Sequence, residues 1–404
     1  MTGQEHHLTA RAAADALGVT RATLYAYTSR GQLRSEPVPG QPRERRYCRE
    51  DIQRLRERKE ARRDPAKAAA RGLDWGSPVL ESGITLIQDG KLYYRGQDVS
   101  KLARERTLED VAELLWAAEP VERGRLFDQR CVLSPGHLAR LRACVKDGPL
   151  SLLQAALPLA GAIDLASYDL RPEGVRQTGA RIVGLLTTML AGRHSELPIH
   201  RALQALWAPK KLAASEVIRT ALVLSADHEL NVSAFVARCA ASAGASPYDV
   251  VSAALATLKG HRHGGASERL SAVFTEARAP ERPRTVLANR LRRGETIPGF
   301  GHPLYPNGDP RAALLLKMAE AAGNREEWRL VRQLARAGSE LLNAPPNLDF
   351  GLVAVARTYG LPEYAPVILF ALGRTIGWIG HAIEQYASGK LIRPRARYTG
   401  PPPA

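Results

Sequence analysis

From Leu73 onward, apolar residues recur mostly at the three- and four-residue spacing of helices that face a core. LEDVAELLWAAEP, ASEVIRTALVLSADHELNVSAFVARCAASAG and SPYDVVSAALATLKG all carry this pattern. In the second stretch the pattern runs through DHELN, predicting a long helix with His228 at its start or within it. Strand signals are few. The best is GITLIQDGKLYYRG, where Gln88-Asp89-Gly90 marks a hairpin between two alternating runs. The region is therefore expected to be almost all-α, with a small β element at its start.

The first seventy residues are patterned differently. Thr9 is placed to cap a helix with Ala13, Ala16 and Leu17 on one face, and Gly18 supplies the positive φ that ends it. Thr20 caps a second helix running to about Ser29, with Leu24 facing the core and Gly31 just beyond. Two short helices joined at Gly18-Val19 have the spacing of a helix-turn-helix, whose second helix enters the major groove of DNA. Arg21, Thr23, Tyr25 and Arg30 are its candidate contacts. A turn-rich stretch from Pro37 to Pro42 leads into RERRYCREDIQRL. The loop ending in arginines, with Arg45 and Arg46, reads as a wing on the phosphate backbone. Asp51 then opens a helix with Ile52 and Leu55 on one face. Residues 56–72 are charged, then Ala-rich, with Pro65 breaking any continuous helix, and read as a linker.

Charge sharpens this division. The chain of 404 residues has a formal net charge of +16. Residues 1–72 hold 16 Lys and Arg against 9 Asp and Glu, so the first segment is the more basic per residue. A polyanion partner near the N-terminus is the expectation, with a solubilising face as the bland alternative. A hydrophobic content of 45% is that of a globular chain. No apolar run approaches the roughly 18 residues that would span a bilayer. MTGQEHHLTA lacks the apolar core of a secretion signal, so a cytoplasmic location is expected. The four cysteines have no CxxC spacing, which argues against a zinc site and a disulfide framework.

The chemical signal lies in histidines and arginines set among turn residues. His228 stands in DHELN, His263 in KGHRHGGASE, His302 and Arg311 in GFGHPLYPNGDPR, and Asp349 in APPNLDFG. Arg374 stands in LGRTIGWIGHAIEQ and Arg393 in LIRPRARYTG. Taken singly, each has a structural explanation: a histidine in a tight turn, an aspartate capping a helix, an arginine on a surface face.

Taken together and in order, these strings resemble the citrate synthase family over about residues 73–400, with LYYRGQDVSKLA as a further landmark. Residues 8–58 resemble the MerR-like winged helix-turn-helix family, and TLYAY fits its excisionase-like branch as well. The resemblance implies a mostly α fold of large and small helical domains, the small one at roughly 265–365, preceded by a DNA-binding domain at 1–58 and a linker at 59–72. It implies condensation of acetyl-CoA with oxaloacetate to give citrate and CoA, without a tightly bound cofactor or a metal. Asp349 would be the base, His263 the donor to the thioester oxygen, and His302 the donor to the ketone. His228, Arg311, Arg374 and Arg393 would hold oxaloacetate, with the residue at 393 reaching in from the partner of a homodimer. Lys259, Arg262, Gly299 and Gly301 are candidates for CoA binding. Double-stranded DNA is the further partner expected, and a membrane is not.

Three features depart from the family pattern. Pro303 follows the GFGH histidine, where many bacterial members have arginine. Pro306-Asn307-Gly308 stands where a basic residue commonly precedes DPR. PNLDF runs straight into GLVAVA, a shorter form that resembles citryl-CoA-cleaving relatives. The alternatives are thus a 2-methylcitrate synthase, a citryl-CoA-cleaving variant, or a transcription factor that uses the synthase fold to sense a metabolite.

Overall fold

The structure is a computed structural model that describes residues 7–38, 41–49, 51–53, 55–56, 80–117, 126–127, 131–278, 283–396 and 398–401. The expected linker at 59–72 lies outside the described residues. The chain divides into two compact units, Met1–Glu81 and Ser82–Ala404.

In the first unit, β1 (His7–Thr9) leads into α1 (Ala10–Leu17) and α2 (Arg21–Ser29), followed by β2 (Ser35–Val38) and β3 (Gln41–Cys48). Thr9 caps α1 by accepting from the Ala12 amide, and Thr20 caps α2 by accepting from Thr23. Gly18 takes φ 59° between them, a left-handed conformation that costs a glycine little. Ala13, Ala14, Leu17, Leu24, Leu33, Tyr47 and Ile52 form the core. The antiparallel sheet has the order β1-β3-β2.

Two sequence expectations change here. Arg45 and Arg46 lie within β3, not in a loop, because Pro37 and Glu36 of β2 pair with them and Tyr47 anchors the strand in the core. Asp51 does not open its helix, since Arg49 is already helical. Its buried carboxylate instead accepts from the Arg34 amide and Nε, both at 2.9 Å, and clamps the end of α2's following turn to the helix after the wing.

The second unit starts with β4 (Thr85–Gln88), β5 (Lys91–Tyr94) and β6 (Gln97–Asp98). Asp89 (φ 53°) and Gly90 (φ 71°) make the two-residue turn that suits the twist of a hairpin. Helices follow: α3 (Val99–Glu105), α4 (Leu108–Leu115), α5 (Pro135–Cys144), α6 (Pro149–Ile163), α7 (Pro172–Ala191), α8 (Ile199–Trp207), α9 (Ala214–Ser225), α10 (Val232–Ser242) and α11 (Pro247–Leu258). Then come α12 (Gly265–Glu276), α13 (Pro283–Arg292), α14 (Pro310–Ala321), α15 (Arg325–Leu342), α16 (Leu348–Tyr359) and α17 (Ala365–Ser388).

Helix α17 is the axis of this unit, packed by α4, α7, α9, α10 and α11. By length and composition it could cross a bilayer, contrary to the sequence reading, yet its whole apolar window is buried inside the fold. Helices α12 to α16 form a second bundle, in which α14 lies on α16 and α13 on α15.

The expected long helix around His228 is broken. Helix α9 stops at Ser225 and α10 starts at Val232, with Glu229 at φ 51° and Asn231 capping α10. Tertiary contacts override the apolar period. The Tyr94 hydroxyl accepts from the Asp227 amide at 3.0 Å and lies 3.2 Å from the Val223 carbonyl. Close approach to α17 completes the break. A Cβ at Gly373 would sit 2.5 Å from the Leu222 carbonyl, and one at Gly377 would sit 2.5 Å from that of Ala226. Glycine at both positions lets the turn lie on the helix.

Candidate active site

The turn between α9 and α10 presents His228. This residue is buried, and its Nε2 is 3.0 Å from the Tyr305 hydroxyl. Its ring meets that of His302 edge-on, with centroids 4.9 Å apart. Burial, then Arg311 and Arg374, hold the His228 pKa well below the usual range, so the ring is neutral at pH 7.

His302 belongs to the loop 299–309, and the structure explains that loop's stiffness. Gly299 and Gly301 have φ of 92° and 72°, and the loop is zipped to residues 345–347. The Gly301 amide donates to Pro345 O at 2.7 Å, the Asn347 amide to Gly299 O at 2.9 Å, and Asn347 Nδ2 to Gly301 O at 3.1 Å. These two glycines thus serve the backbone. The Leu304 amide donates to His302 Nδ1 at 3.2 Å. With Nδ1 accepting, the ring proton belongs on Nε2. Burial, then Arg311, lowers the His302 pKa to about 4, which keeps the ring neutral.

The same loop ends at Asp309, which organises two helices. Its Oδ1 accepts from the Arg311 amide and Nε, both at 3.0 Å. Its Oδ2 accepts from Arg311 Nη2 at 2.8 Å and from the Leu348 amide at 3.0 Å. One carboxylate therefore aims Arg311, in the first turn of α14, and ties down the start of α16. Arg311 is buried over the Tyr305 ring, and Asp309 holds its charge firmly against the cost of burial.

Asp349 lies in the first turn of α16. A helix cap was the bland reading of this residue, but Asn347 takes that part by accepting from the Asp349 amide at 3.1 Å. The Asp349 side chain is left to face Ser267 of α12, whose hydroxyl donates to Oδ1 at 2.7 Å. Burial raises the Asp349 pKa, with Ser267 and Arg311 opposing in part. A carboxylate made more basic in this way suits proton abstraction.

His263 immediately precedes Gly264, the N-cap of α12. Its Nε2 is 2.8 Å from Ser233 Oγ on α10. That oxygen also accepts from the Trp378 indole N–H at 3.1 Å and donates to Asn231 Oδ1 at 2.8 Å. The hydroxyl has a single proton to give. Given to Asn231 Oδ1, it leaves His263 Nε2–H to donate to Oγ; turned to His263 Nε2 instead, it leaves the ring proton on Nδ1 to serve as a donor. Burial, then Arg374, lowers the His263 pKa to about 4. Phe370 contacts the His263 ring edge-on at 5.7 Å and carries the Arg374 guanidinium over its face at 4.6 Å. Arg374 is 1% exposed and donates from Nε to Ser225 O at 2.9 Å, so it is no surface residue.

The structure thus gathers His228, His263, His302, Arg311, Asp349 and Arg374 through shared neighbours. The other candidates are placed by their own neighbours. Arg393 is exposed in the segment after α17. Lys259 and Arg262 are exposed, and Lys259 Nζ reaches Ser151 Oγ at 3.3 Å and Gln154 Oε1 at 3.2 Å. In the first unit, Arg21 and Tyr25 on α2 and Arg30 just beyond it are exposed, while Thr23 Oγ1 is 2.9 Å from Thr20 Oγ1. Arg45 donates to Ser35 O at 3.2 Å, and Arg46 pairs with Glu36 at 3.2 Å. Sequence reasoning missed Ser233, Ser267, Tyr305, Asp309 and Trp378. Only Asp309 carried a signal, as the residue before a proline at a helix start.

Residues 72–395 match the sequence model described as "Citrate synthase, C-terminal domain". The chain belongs to the citrate synthase family. Residues 8–64 match "MerR HTH family regulatory protein". Among related proteins, Citrate synthase 2 of Bacillus subtilis (strain 168) is 29% identical over 360 residues, covering 82% of this chain and 96% of the relative. The Haloferax volcanii citrate synthase is 31% identical over 363 residues, covering 82% and 95%. A 2-methylcitrate synthase of Mycobacterium tuberculosis (strain H37Rv) is 32% identical over 342 residues, covering 78% and 86%. The crystal structure of citrate synthase from Thermotoga maritima superposes with a TM-score of 0.70 at 26% identity, covering 81% of this chain and 95% of that one. The Thermoplasma acidophilum citrate synthase, solved as a ternary complex with carboxymethyl coenzyme A and oxaloacetate, gives 0.68 at 25%, covering 83% and 97%. Family membership extends over both bundles of the second unit, and the MerR match lies ahead of it.

Proposed function

We propose that this member of the family condenses acetyl-CoA with oxaloacetate, giving citrate and CoA. The observation that carries the reading is the convergence of one basic carboxylate and two neutral imidazoles on buried arginines. Asp349 takes a proton from the thioester methyl group. With the Ser233 hydroxyl turned to its Nε2, His263 donates from Nδ1–H to the thioester oxygen as the enolate forms, a stabilisation that makes so weak a carbon acid reactive. The enolate carbon attacks the ketone, and the His302 Nε2–H supplies the proton for its oxygen. Arg311 and Arg374 take carboxylates of oxaloacetate, and His228 adds a further contact. Arg393 completes the site from the partner of a homodimer. Water then hydrolyses the citryl thioester.

Acyl choice is the finer point. One methylene in a pocket is worth about 1–3 kcal/mol, and the relatives include a 2-methylcitrate synthase. The test is thiol release with acetyl-CoA and with propionyl-CoA, each plus oxaloacetate, for wild type and Asp349→Ala. Turnover that Asp349→Ala abolishes supports the reading. Oxaloacetate binding without turnover supports the sensor reading instead. The first unit is proposed to bind double-stranded DNA through α2 and the β2–β3 wing. A low-salt gel shift tests this, and no shift on any DNA would sink it.

A further inference from the structure

Two strings used above hold residues to which no step has been given: Asp227 before His228, and Gly377 and His381 after Arg374. In the fold these residues meet. Asp227 and His381 are both 0% exposed, and Asp227 Oδ1 is 3.3 Å from His381 Nε2. Thr85 of β4 donates to Asp227 Oδ2 at 2.6 Å. The carboxylate lies against α17 where Gly377 has no side chain, since a Cβ there would be 2.3 Å from Oδ1.

The surrounding bonds act on the substrate residues. Arg374 Nε donates to Ser225 O at 2.9 Å, and the Gly377 amide donates to Ala226 O at 3.0 Å. The next residue along is Asp227, and the next is His228. A single turn, stitched to α17 at three successive residues, therefore sets both the Arg374 guanidinium and the His228 ring. Arg311 has Asp309 as its carboxylate, whereas among the described residues no carboxylate is within ion-pair distance of Arg374. Of the charges around Arg374, that of Asp227 acts on it most strongly.

We propose that Asp227 is a positioning residue for oxaloacetate: it pins the turn 225–228 between β4 and α17, so that Arg374 and His228 address one dianion together. This rests on the oxaloacetate reading above. A buried carboxylate that accepts from one hydroxyl and faces one imidazole is an expensive way to pin a turn. It repays that cost where a facing arginine must stay oriented and keep its remaining N–H groups for a ligand.

The test uses the full chain as wild type, Asp227→Asn and Thr85→Val. Steady-state thiol release gives KM for oxaloacetate and kcat, and calorimetric titration gives the oxaloacetate Kd without any CoA ester. Both variants are expected to raise KM and Kd together, Asp227→Asn by about tenfold, the scale on which groups that orient binding residues act. The acetyl-CoA KM should stay within about threefold. A merely structural role would lower kcat through a smaller active fraction and leave KM and Kd unmoved, and that result overturns the proposal. Tighter binding in Asp227→Asn also overturns it, since the carboxylate would then only repel the substrate. If Asp227→Asn does not fold, as judged by circular dichroism, Thr85→Val decides. Wild type that fails to bind oxaloacetate overturns the functional reading itself, while equal binding by wild type and variants overturns only this inference.

Discussion

Lowering the pH from 7.5 to 5 should destabilise the catalytic unit through its buried histidines. His263 and His302 are held to about 4 in the fold, by burial in the first place. Unfolded, each returns to about 6.5. The unfolded chain therefore binds more protons between those values, and stability rises with pH across the window. At pH 7.5 both states are neutral and the term vanishes. At pH 5 the unfolded histidine is protonated and the folded one is not, which favours unfolding by about 2 kcal/mol per ring. Residual solvent contact trims this towards about 1–2 kcal/mol each, so the pair accounts for about 2–4 kcal/mol. His228 acts in the same direction. The assay is urea unfolding of the full chain at intervals from pH 7.5 to 5, for wild type and the His263→Asn/His302→Asn double variant. Tryptophan fluorescence is a suitable probe, because all five tryptophans lie at residue 75 or beyond, outside the helix-turn-helix. The double variant should lose about 2–4 kcal/mol less stability than wild type over this range. Equal losses would show that these rings titrate normally in the fold.

Other changes probe single links. Asp349→Ala should lower kcat at least about 100-fold in thiol release, as expected for loss of a general base. Ser233→Ala leaves the Trp378 indole N–H without its acceptor and His263 without its hydrogen-bond partner at Nε2. It should cost about 1–3 kcal/mol in urea unfolding as well as lowering kcat. Gly377→Ala puts a Cβ 2.3 Å from Asp227 Oδ1 and should weaken oxaloacetate binding in calorimetry. Combined Arg21→Ala and Arg30→Ala should weaken DNA binding in a gel shift and flatten its salt dependence, because phosphate contacts release counterions.

How much of this was legible beforehand depended on the kind of signal each element carries. Caps and glycines act locally, so Thr9, Gly18, Thr20 and the Asp89-Gly90 turn were readable from neighbours in sequence. The candidate reactive residues were readable because each stands in a string whose turn residues mark it. Their orienting partners were not. Ser233, Ser267 and Tyr305 have no spacing signature, since a hydroxyl that meets a histidine or a carboxylate from another helix is chosen by the fold. The arginines of the wing misled for a related reason. β3 is paired on both edges and held in the core by Tyr47, so Arg45 and Arg46 are free to be charged on a strand that the local run of arginines did not reveal.

The turn at His228 shows the limit most clearly. ALVLSADHELNVSAFVA keeps an apolar period throughout, and nothing local requires a break. The break is imposed from two distant places. Tyr94, more than a hundred residues upstream, binds the Asp227 backbone, and Gly373 and Gly377, nearly 150 residues downstream, leave room for the turn. A regular helix there would keep its backbone groups to itself. It would have no Ser225 carbonyl to give Arg374, and no Ala226 carbonyl to give Gly377. The departure from local preference is thus what lets one short segment aim a histidine and an arginine at the same point. The proposed grip on a small dianion by both ends needs such a departure, because no single helix face brings together two residues 146 apart in sequence.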